Sequence, residues 1–129
     1  MFSIRTFQKD DYPMYISWLS ARNRPAPRFV DLPDLGVVVK DDREAAIGFL
    51  IESDSAVCGM GNFASNPDHK LRSDAVDFLI DSLVGLAKEK GYQRLFVNTN
   101  RGRLIARLKD KGFTVYDEHL TQLGADLCH

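Results

Sequence analysis

A short polar and basic segment joins a glycine-containing apolar run to the longest helical pattern in the chain. The segment covers residues 65–75 and contains Lys70 and Arg72, with Ser73 and Asp74 near its far end. The first turn of a helix exposes unpaired N–H groups and carries a partial positive charge, which suits a phosphate or pyrophosphate. These residues predict an anion-binding loop, although a solvated turn capped by Ser73 would have the same composition.

Two ionisable residues stand out at the edges of apolar runs. Glu52 comes directly after an apolar run, and Tyr116 lies in the last apolar stretch of the chain. A carboxylate at a hairpin is more often solvated, and a tyrosine in such a stretch is more often packed in a core or a sheet. Position alone assigns a catalytic role to neither.

Histidine and cysteine do not predict a metal site or a nucleophile. Their positions show no metal-ligand spacing, and no Walker or Gly-x-Ser-x-Gly motif occurs. These residues are His69, His119, His129, Cys58 and Cys128. Cys58 lies in an apolar run and is more typical of a small core residue. Two cysteines and no glycosylation sequon favour a reducing, cytoplasmic compartment.

Length and charge exclude several classes of protein. The chain has 129 residues with an apolar fraction of 44%, which predicts a single domain over residues 1–129. Lys and Arg number 17 against 18 Asp and Glu, so the net charge is −1 and no nucleic-acid partner is expected. No apolar run approaches the roughly 20 residues that cross a bilayer, and no signal peptide is apparent. We therefore expect no membrane partner.

Hydrophobic periodicity predicts the elements that position this loop. An alternating strand over residues 2–7 precedes a helix with Pro13 in its first turn and Trp18 on its apolar stripe. A long loop then leads to three apolar runs joined by tight polar turns, which predict an antiparallel meander. These runs cover residues 36–40, 45–51 and 56–64. Gly59 and Gly61 inside the third run mark a bulge or the close approach of a ligand or another backbone.

The longest helical pattern starts at Ser73 or Asp74 as its N-cap and stops at Gly91. Residues 95–97 form a continuous apolar run, typical of a strand buried on both faces. This helix then joins two parallel strands in a βαβ unit. A further helix and a further strand or bent strand cover residues 101–111 and 113–123. The predicted fold class is α+β, with a mixed sheet that is antiparallel first and parallel at the βαβ unit.

The junction of strand, Pro67, basic loop and helix, within this order of elements, resembles the GCN5-related N-acetyltransferases (GNAT family). The more specific part of the resemblance is Asn98-Thr99-Asn100 followed by a helix that ends at Gly112-Phe113. The resemblance covers nearly the whole chain, which also looks similar to short phage-encoded members. It implies a GNAT-like sheet with helices on both faces. It also implies an acetyl-CoA-dependent N-acyltransferase, in which an amine attacks the thioester directly.

The resemblance implies a coenzyme site of three parts. The family's loop reads Arg/Gln-x-x-Gly-x-Gly/Ala, and its backbone amides bind the pyrophosphate of coenzyme A. The matching positions here are Lys70, Leu71, Arg72, Ser73, Asp74 and Ala75. The bulged strand that contacts the pantetheine arm matches Phe63, Ala64 and Ser65. Asn100 matches an asparagine that contacts the coenzyme arm.

The chain departs from the family pattern at three positions. Lys70 replaces the Arg or Gln of the loop, Ser73 stands where the first loop glycine is usual, and Leu108 occupies the position of the family's general-acid tyrosine. The resemblance leaves Tyr116 as a candidate substitute acid and Glu52, which ends a strand near the expected site, as a candidate base, and it transfers no catalytic residue directly. These departures leave an alternative open, in which the chain is a catalytically inactive GNAT-fold module for coenzyme binding or protein interaction.

The acceptor amine, on a small molecule or a protein, is not identified by the sequence. The resemblance implies that it enters near residues 22–35 and the last strands. Arg22, Arg24 and Arg28 in that loop favour an acidic acceptor, whereas Asp31 and Asp34 oppose it. The sequence indicates no oligomeric state.

Overall fold

A computed structural model describes residues 1–127 of the chain, and Cys128 and His129 lie outside the described residues. The chain divides into two compact units, one from Met1 to Asn98 and a second that begins at Thr99. A single domain over residues 1–129 therefore stays a prediction.

The first unit contains one five-stranded sheet and two helices. Its strands are β1 (Ser3–Thr6), β2 (Leu35–Lys40), β3 (Glu44–Ile51), β4 (Val57–Ser65) and β5 (Arg94–Phe96). Its helices are α1 (Tyr12–Ser20) and α2 (Arg72–Glu89), with short 3-10 turns at Lys9–Asp11 and Phe29–Asp31. The described part of the second unit contains α3 (Gly102–Asp110).

The strands lie side by side in chain order, from β1 to β5. The pairs from β1 to β4 are antiparallel, and the pair of β4 and β5 is parallel. This arrangement confirms the α+β class, the antiparallel meander and the βαβ unit. The order follows from the connections, because short polar turns join antiparallel neighbours whereas a parallel neighbour needs a helical crossover.

The two helices of this unit cover opposite faces of the sheet. Gly48 and Phe49 are consecutive strand residues and point to opposite faces. Phe49 packs edge-on against Tyr15 of α1, with ring centroids 5.7 Å apart. A Cβ on Gly48 would lie 3.0 Å from Leu79 of α2. Burial of both apolar stripes against the sheet supplies the core, and Trp18 belongs to it as expected.

Three expectations from the sequence are wrong in their detail. β5 is not buried on both faces, because it is the edge strand, and Phe96 is 38% exposed. No strand follows β5 within the described residues, although the sequence predicts a strand or bent strand over 113–123. Strand propensity needs a neighbouring strand to pair with, and it does not by itself create one. Ser73 and Asp74 lie inside α2, whose N-cap residue is Leu71.

The C-terminal ends of α2 and α3 have the glycine stops that the sequence predicts. α2 is followed by Gly91 with φ +86°, and α3 by Gly112 with φ +94°. These left-handed conformations suit glycine, which lacks the Cβ that would clash there. No helix in residues 1–127 combines the length and the apolar composition that crossing a membrane requires.

Candidate functional site

Strand β4 continues well beyond its partner β5. The last paired residues are Gly59 and Phe96, while β4 runs on to Ser65. Within residues 1–98, no other strand pairs with the remaining half of β4 on the side away from β3. The peptide groups along this half-strand therefore form an open edge, which we call the β4 edge (residues 60–65).

The β4 edge contains a β-bulge. Ile47 opposes Ala64 and Phe49 opposes Gly61, so Asn62 and Phe63 together face the single residue Gly48. Asn62 has φ +56°, a left-handed conformation that asparagine tolerates better than most residues. The resemblance placed this feature at residues 63–65, and the structure begins it at Asn62.

Two contacts hold the bulge in place. The buried Tyr15 of α1 donates its hydroxyl proton to the carbonyl oxygen of Asn62 at 2.8 Å. The ring of Phe63 lies over Gly48, where a Cβ would be 2.7 Å from Phe63 Cδ1. The absence of a side chain at Gly48 therefore allows Phe63 to pack as it does.

Strand alternation turns specific peptide groups of the β4 edge outward. The amide of Asn66, directly after β4, donates to the carbonyl of Ala45 at 2.9 Å, so it points toward β3. Peptide groups alternate in direction along a strand, so those of Phe63 and Ser65 point away from β3. The Ser65 carbonyl on this side accepts a hydrogen bond from Arg22 Nη1.

The β4–α2 loop (residues 66–71) is held by side chains at both of its ends. Asn66 donates from Nδ2 to the Glu44 carbonyl at 2.9 Å and accepts the Asp68 amide on Oδ1 at 2.9 Å. The second contact is an Asx turn, which fixes the direction of the chain after Pro67.

His69 holds the other end of this loop, and its side chain is only 6% exposed. The Leu71 amide donates to His69 Nδ1 at 3.0 Å, so that nitrogen is the acceptor. Nε2 then carries the proton and donates to Asp41 Oδ1 at 2.9 Å. The Asp41 carboxylate also accepts the amide of Arg43 at 3.1 Å. The bond from His69, followed by the Arg43 amide, lowers the pKa of Asp41 to about 2.

Internal hydrogen bonds engage three of the expected pyrophosphate-binding amides. Leu71 N–H donates to the His69 ring, Arg72 N–H to the His69 carbonyl at 3.3 Å, and Ala75 N–H to the Leu71 carbonyl at 2.9 Å. An anion here would use other first-turn donors, such as the Asp74 amide, together with side-chain cations. The carboxylate of Asp74 in that turn opposes an anion unless it points away.

Arginine side chains gather at this end of the sheet. The pKa of Arg22 is lowered first by its burial and then by the nearby charges of Arg24 and Arg72. Arg72 also donates from Nη1 to the His69 carbonyl at 3.1 Å. None of these three arginines pairs with a carboxylate within residues 1–127. Arg28 differs, because Asp31 pairs with it at 2.9 Å.

Clustered, unpaired cations raise the free energy of the protein until an anion joins them. The bonds to Ser65 and His69 hold two of these guanidinium groups in place while leaving other N–H donors on each for a ligand. Lys70 is exposed in the same loop. This end of the β4 edge is therefore a candidate anion site.

Glu52 lies at the opposite end of β4. Ile51 pairs with Gly59, which puts Glu52 beside Cys58, and its carboxylate pairs with Lys90 at 3.3 Å. Burial, and then the charge of Glu52, raise the pKa of Cys58. A buried thiol with a raised pKa is a poor nucleophile, consistent with a core role for Cys58.

The remaining predicted site residues belong to the second unit, where their roles stay predictions. Leu108 is a buried residue of α3, and Tyr116 is 67% exposed. Asn100 lies just before α3. Next to it, the amide of Arg101, the N-cap residue of α3, donates to Thr99 Oγ1 at 3.1 Å.

Sequence reasoning missed three residues that shape the site. Tyr15, Arg22 and His69 contact residues that are 47, 43 and 28 positions away. Tyr15 has the apolar spacing of any core residue, and Arg22 has the composition of any loop. For His69, the flanking Asx-turn residues Asn66 and Pro67 were a signal of an ordered loop.

Solved structures of other proteins have the same fold as this chain. No family model matches the chain. Maspardin of Rattus norvegicus is 33% identical over 64 residues, which are 49% of this chain and 24% of that protein. The N-acetylglutamate synthase of Neisseria gonorrhoeae, solved with coenzyme A and L-arginine, superposes with a TM-score of 0.71 at 18% identity. That match covers 94% of this chain and 29% of the synthase chain.

Glucosamine-6-phosphate N-acetyltransferase of Arabidopsis thaliana superposes over almost its whole length. Its TM-score is 0.68 at 10% identity, with 95% of this chain and 98% of that chain covered. At such identities the likeness concerns the fold alone. The chain spans less than a third of the synthase and of maspardin, so the activities of those whole proteins do not transfer with it.

Proposed function

We propose that this chain, whose fold is that of the GCN5-related N-acetyltransferases, binds acetyl-CoA and transfers its acetyl group to an amine. The observation that carries the proposal is the β4 edge, an unpaired half-strand with a bulge and outward peptide groups. An edge of this kind offers hydrogen bonds to an extended amide-containing ligand, and the pantetheine arm of coenzyme A is such a ligand.

The residues around the β4 edge fit the coenzyme in its two chemical parts. The outward peptide groups of Phe63 and Ser65 suit the amides of the arm. Arg22, Arg24 and Arg72 suit the phosphates, and they compensate for loop amides that are engaged internally.

Acetyl-CoA supplies an acetyl thioester, which reacts with an amine to give an amide and the free thiol of the coenzyme. In our proposal the outward N–H of Phe63 at the bulge polarises the thioester carbonyl. The chain contributes mainly position and polarisation, because Leu108 has no proton to give to the leaving sulfur. Tyr116 is the candidate acid. Glu52, at the far end of β4, is a candidate base only through solvent.

The acceptor in this proposal is a small-molecule or protein amine, and the setting is the cytoplasm. An acidic acceptor now has less support from the 22–35 loop than the sequence suggested, because Asp31 neutralises Arg28. The other two arginines of that loop, Arg22 and Arg24, are assigned to the coenzyme phosphates in this scheme.

A second candidate function is a catalytically inactive module that keeps the coenzyme as a ligand. Two observations favour it: Leu108 in place of an acid, and loop amides already hydrogen-bonded within the loop. The same β4 edge serves both candidates, so coenzyme binding alone does not separate them.

Calorimetric titration followed by turnover assays separates these functions. We expect coenzyme A and acetyl-CoA to bind, and saturation at about a hundredfold excess over Kd to stabilise the fold by about 2.7 kcal/mol. Acetylation of any member of a panel of small amines and amine-bearing peptides would establish the enzyme. Binding without turnover, also in Leu108→Tyr, would favour the inactive module. Absence of binding would contradict both.

A further inference from the structure

We infer that His69 is a positioning residue for coenzyme binding: its neutral ring orients the β4–α2 loop through Leu71 while Asp41 holds the ring. The inference rests on the proposed function for its ligand, but its structural part does not need that ligand. The first observation is the pair of bonds on the ring, one to each nitrogen. Both nitrogens are satisfied, although the side chain is almost fully buried.

The bond at Nδ1 fixes where α2 begins. Leu71 is the N-cap residue of α2, and its carbonyl accepts the Ala75 amide that starts the helical pattern. Its own amide has no partner within the helix, because the first N–H groups of any helix lack one. The His69 ring supplies this partner, so it acts as a side-chain cap that precedes the helix by two positions.

The backbone of His69 also positions Arg72, one of the cations of the candidate anion site. Its carbonyl accepts the Arg72 amide at 3.3 Å and the Arg72 guanidinium Nη1 at 3.1 Å. Movement of His69 would therefore shift the start of α2 and the position of Arg72 together. Asp41, in the turn between β2 and β3, anchors this assembly to the body of the sheet.

The two ring nitrogens have separable roles, which makes the inference testable. An asparagine at position 69 carries Oδ1 as many bonds from the backbone as Nδ1, so it keeps an acceptor for the Leu71 amide but does not reach Asp41. A glutamine carries Nε2 as many bonds from the backbone as the histidine Nε2, so it keeps the donor to Asp41. Its acceptor, Oε1, lies one bond farther from the backbone than Nδ1, so the acceptor for the Leu71 amide is lost.

We therefore compare His69→Asn with His69→Gln, using His119→Gln as a control at an exposed histidine of the second unit. If His69 positions the loop, His69→Asn keeps coenzyme A affinity near that of the parent. His69→Gln weakens that affinity about three- to tenfold, the range expected from one hydrogen bond. A purely structural role predicts that coenzyme affinity in both variants follows thermal stability instead.

Hydrogen exchange of the Leu71 amide gives a readout that needs no ligand. We expect exchange near the parental rate in His69→Asn and about tenfold faster exchange in His69→Gln, with His119→Gln unchanged. Equal exchange in both variants at position 69 would overturn the inference. If the parent fails to bind coenzyme A while this exchange pattern appears, the proposed function fails and the loop-positioning role of His69 stands.

Discussion

Gly48 of β3 lies directly against the ring of Phe63 of β4, so closely that a Cβ on Gly48 would be 2.7 Å from Phe63 Cδ1 and 2.9 Å from Cε1. The contact occurs where Asn62 and Phe63 share one partner residue. The absence of a side chain at Gly48 thus leaves the space in the core that the ring of Phe63 fills. The bulge in turn sets the direction of the Phe63 peptide group, which in our proposal faces the thioester.

Replacement of Gly48 by alanine tests this relationship. We expect Gly48→Ala to lower the free energy of unfolding by about 1–3 kcal/mol, because the ring of Phe63 must move in a packed core. It should also weaken coenzyme A binding by disturbing the bulge. The control is Gly85→Ala in α2, where a Cβ meets nothing within 4 Å. That change should stabilise the fold by about 0.5–1 kcal/mol. Urea denaturation measures the free energy of unfolding of both variants. An unchanged value in Gly48→Ala would contradict the packing of Phe63 against Gly48.

The hydroxyl of Tyr15 should matter to the ligand as well as to the fold. Tyr15→Phe removes the bond to the Asn62 carbonyl and keeps the buried ring, at a cost of about 0.5–1.5 kcal/mol. Tyr12→Phe is matched chemically, because the Tyr12 hydroxyl donates to the Pro27 carbonyl at 2.7 Å rather than to a residue of the bulge.

We expect both tyrosine variants to lose stability and only Tyr15→Phe to lose coenzyme affinity in calorimetric titration. Equal affinities in the two variants would show that the bulge does not need the Tyr15 hydroxyl for binding.

Arg22 is expected to contribute to phosphate binding. Arg22→Gln should weaken coenzyme A binding about three- to tenfold and leave binding of pantetheine, which lacks the phosphates, unchanged. The loss should shrink as salt rises, because salt screens the missing attraction. Arg28→Gln makes the same change in charge at a residue already paired with Asp31, so we expect little effect. Weaker pantetheine binding in Arg22→Gln would indicate instead that Arg22 acts by holding Ser65.

The lowered pKa of Asp41 leads us to expect that the free energy of unfolding depends on pH in the acidic range. Its pKa is lowered from 3.8 to about 2, so its contribution is present above pH 3.8 and is lost as the pH falls toward 2. Asp41→Asn should therefore be less stable than the parent near neutral pH, and the difference should close across that interval. Asp42→Asn, one residue along the same turn, serves as the control for net charge. Urea denaturation over this pH range measures the difference in free energy of unfolding between the parent and Asp41→Asn. A difference that stays constant would show that the bond from His69 to the ionised Asp41 does not stabilise the fold.

Much of the sheet could be predicted because local patterns dictate it. Apolar runs joined by short polar turns place neighbouring strands antiparallel, and the apolar stripe of α2 requires a surface to cover. The same reasoning failed for β5, since a run of apolar residues does not distinguish a central strand from an edge strand such as the one containing Phe96. The N-cap of α2 was misassigned to Ser73 or Asp74, because the bond that sets Leu71 comes from a histidine ring rather than from a capping hydroxyl.

The candidate site was harder to predict, because its geometry depends on contacts between distant residues. Gly59 and Gly61 indicated an irregular strand, but the bulge itself involves Asn62, whose left-handed backbone conformation depends on pairing with β3. The bond from Arg22 to Ser65 joins the end of one helix to the end of a strand 43 residues later. No local pattern encodes such a distance, whereas basic residues next to a helix start are visible in any sequence.

A crystal structure of the protein with acetyl-CoA tests the central claim most directly. We predict that the pantetheine arm lies along residues 60–65, with its amides bonded to the outward peptide groups of Phe63 and Ser65. We also predict phosphates within hydrogen-bonding distance of Arg22 or Arg72. Coenzyme bound elsewhere on the chain, with the β4 edge empty in crystals grown at saturating acetyl-CoA, would contradict that claim.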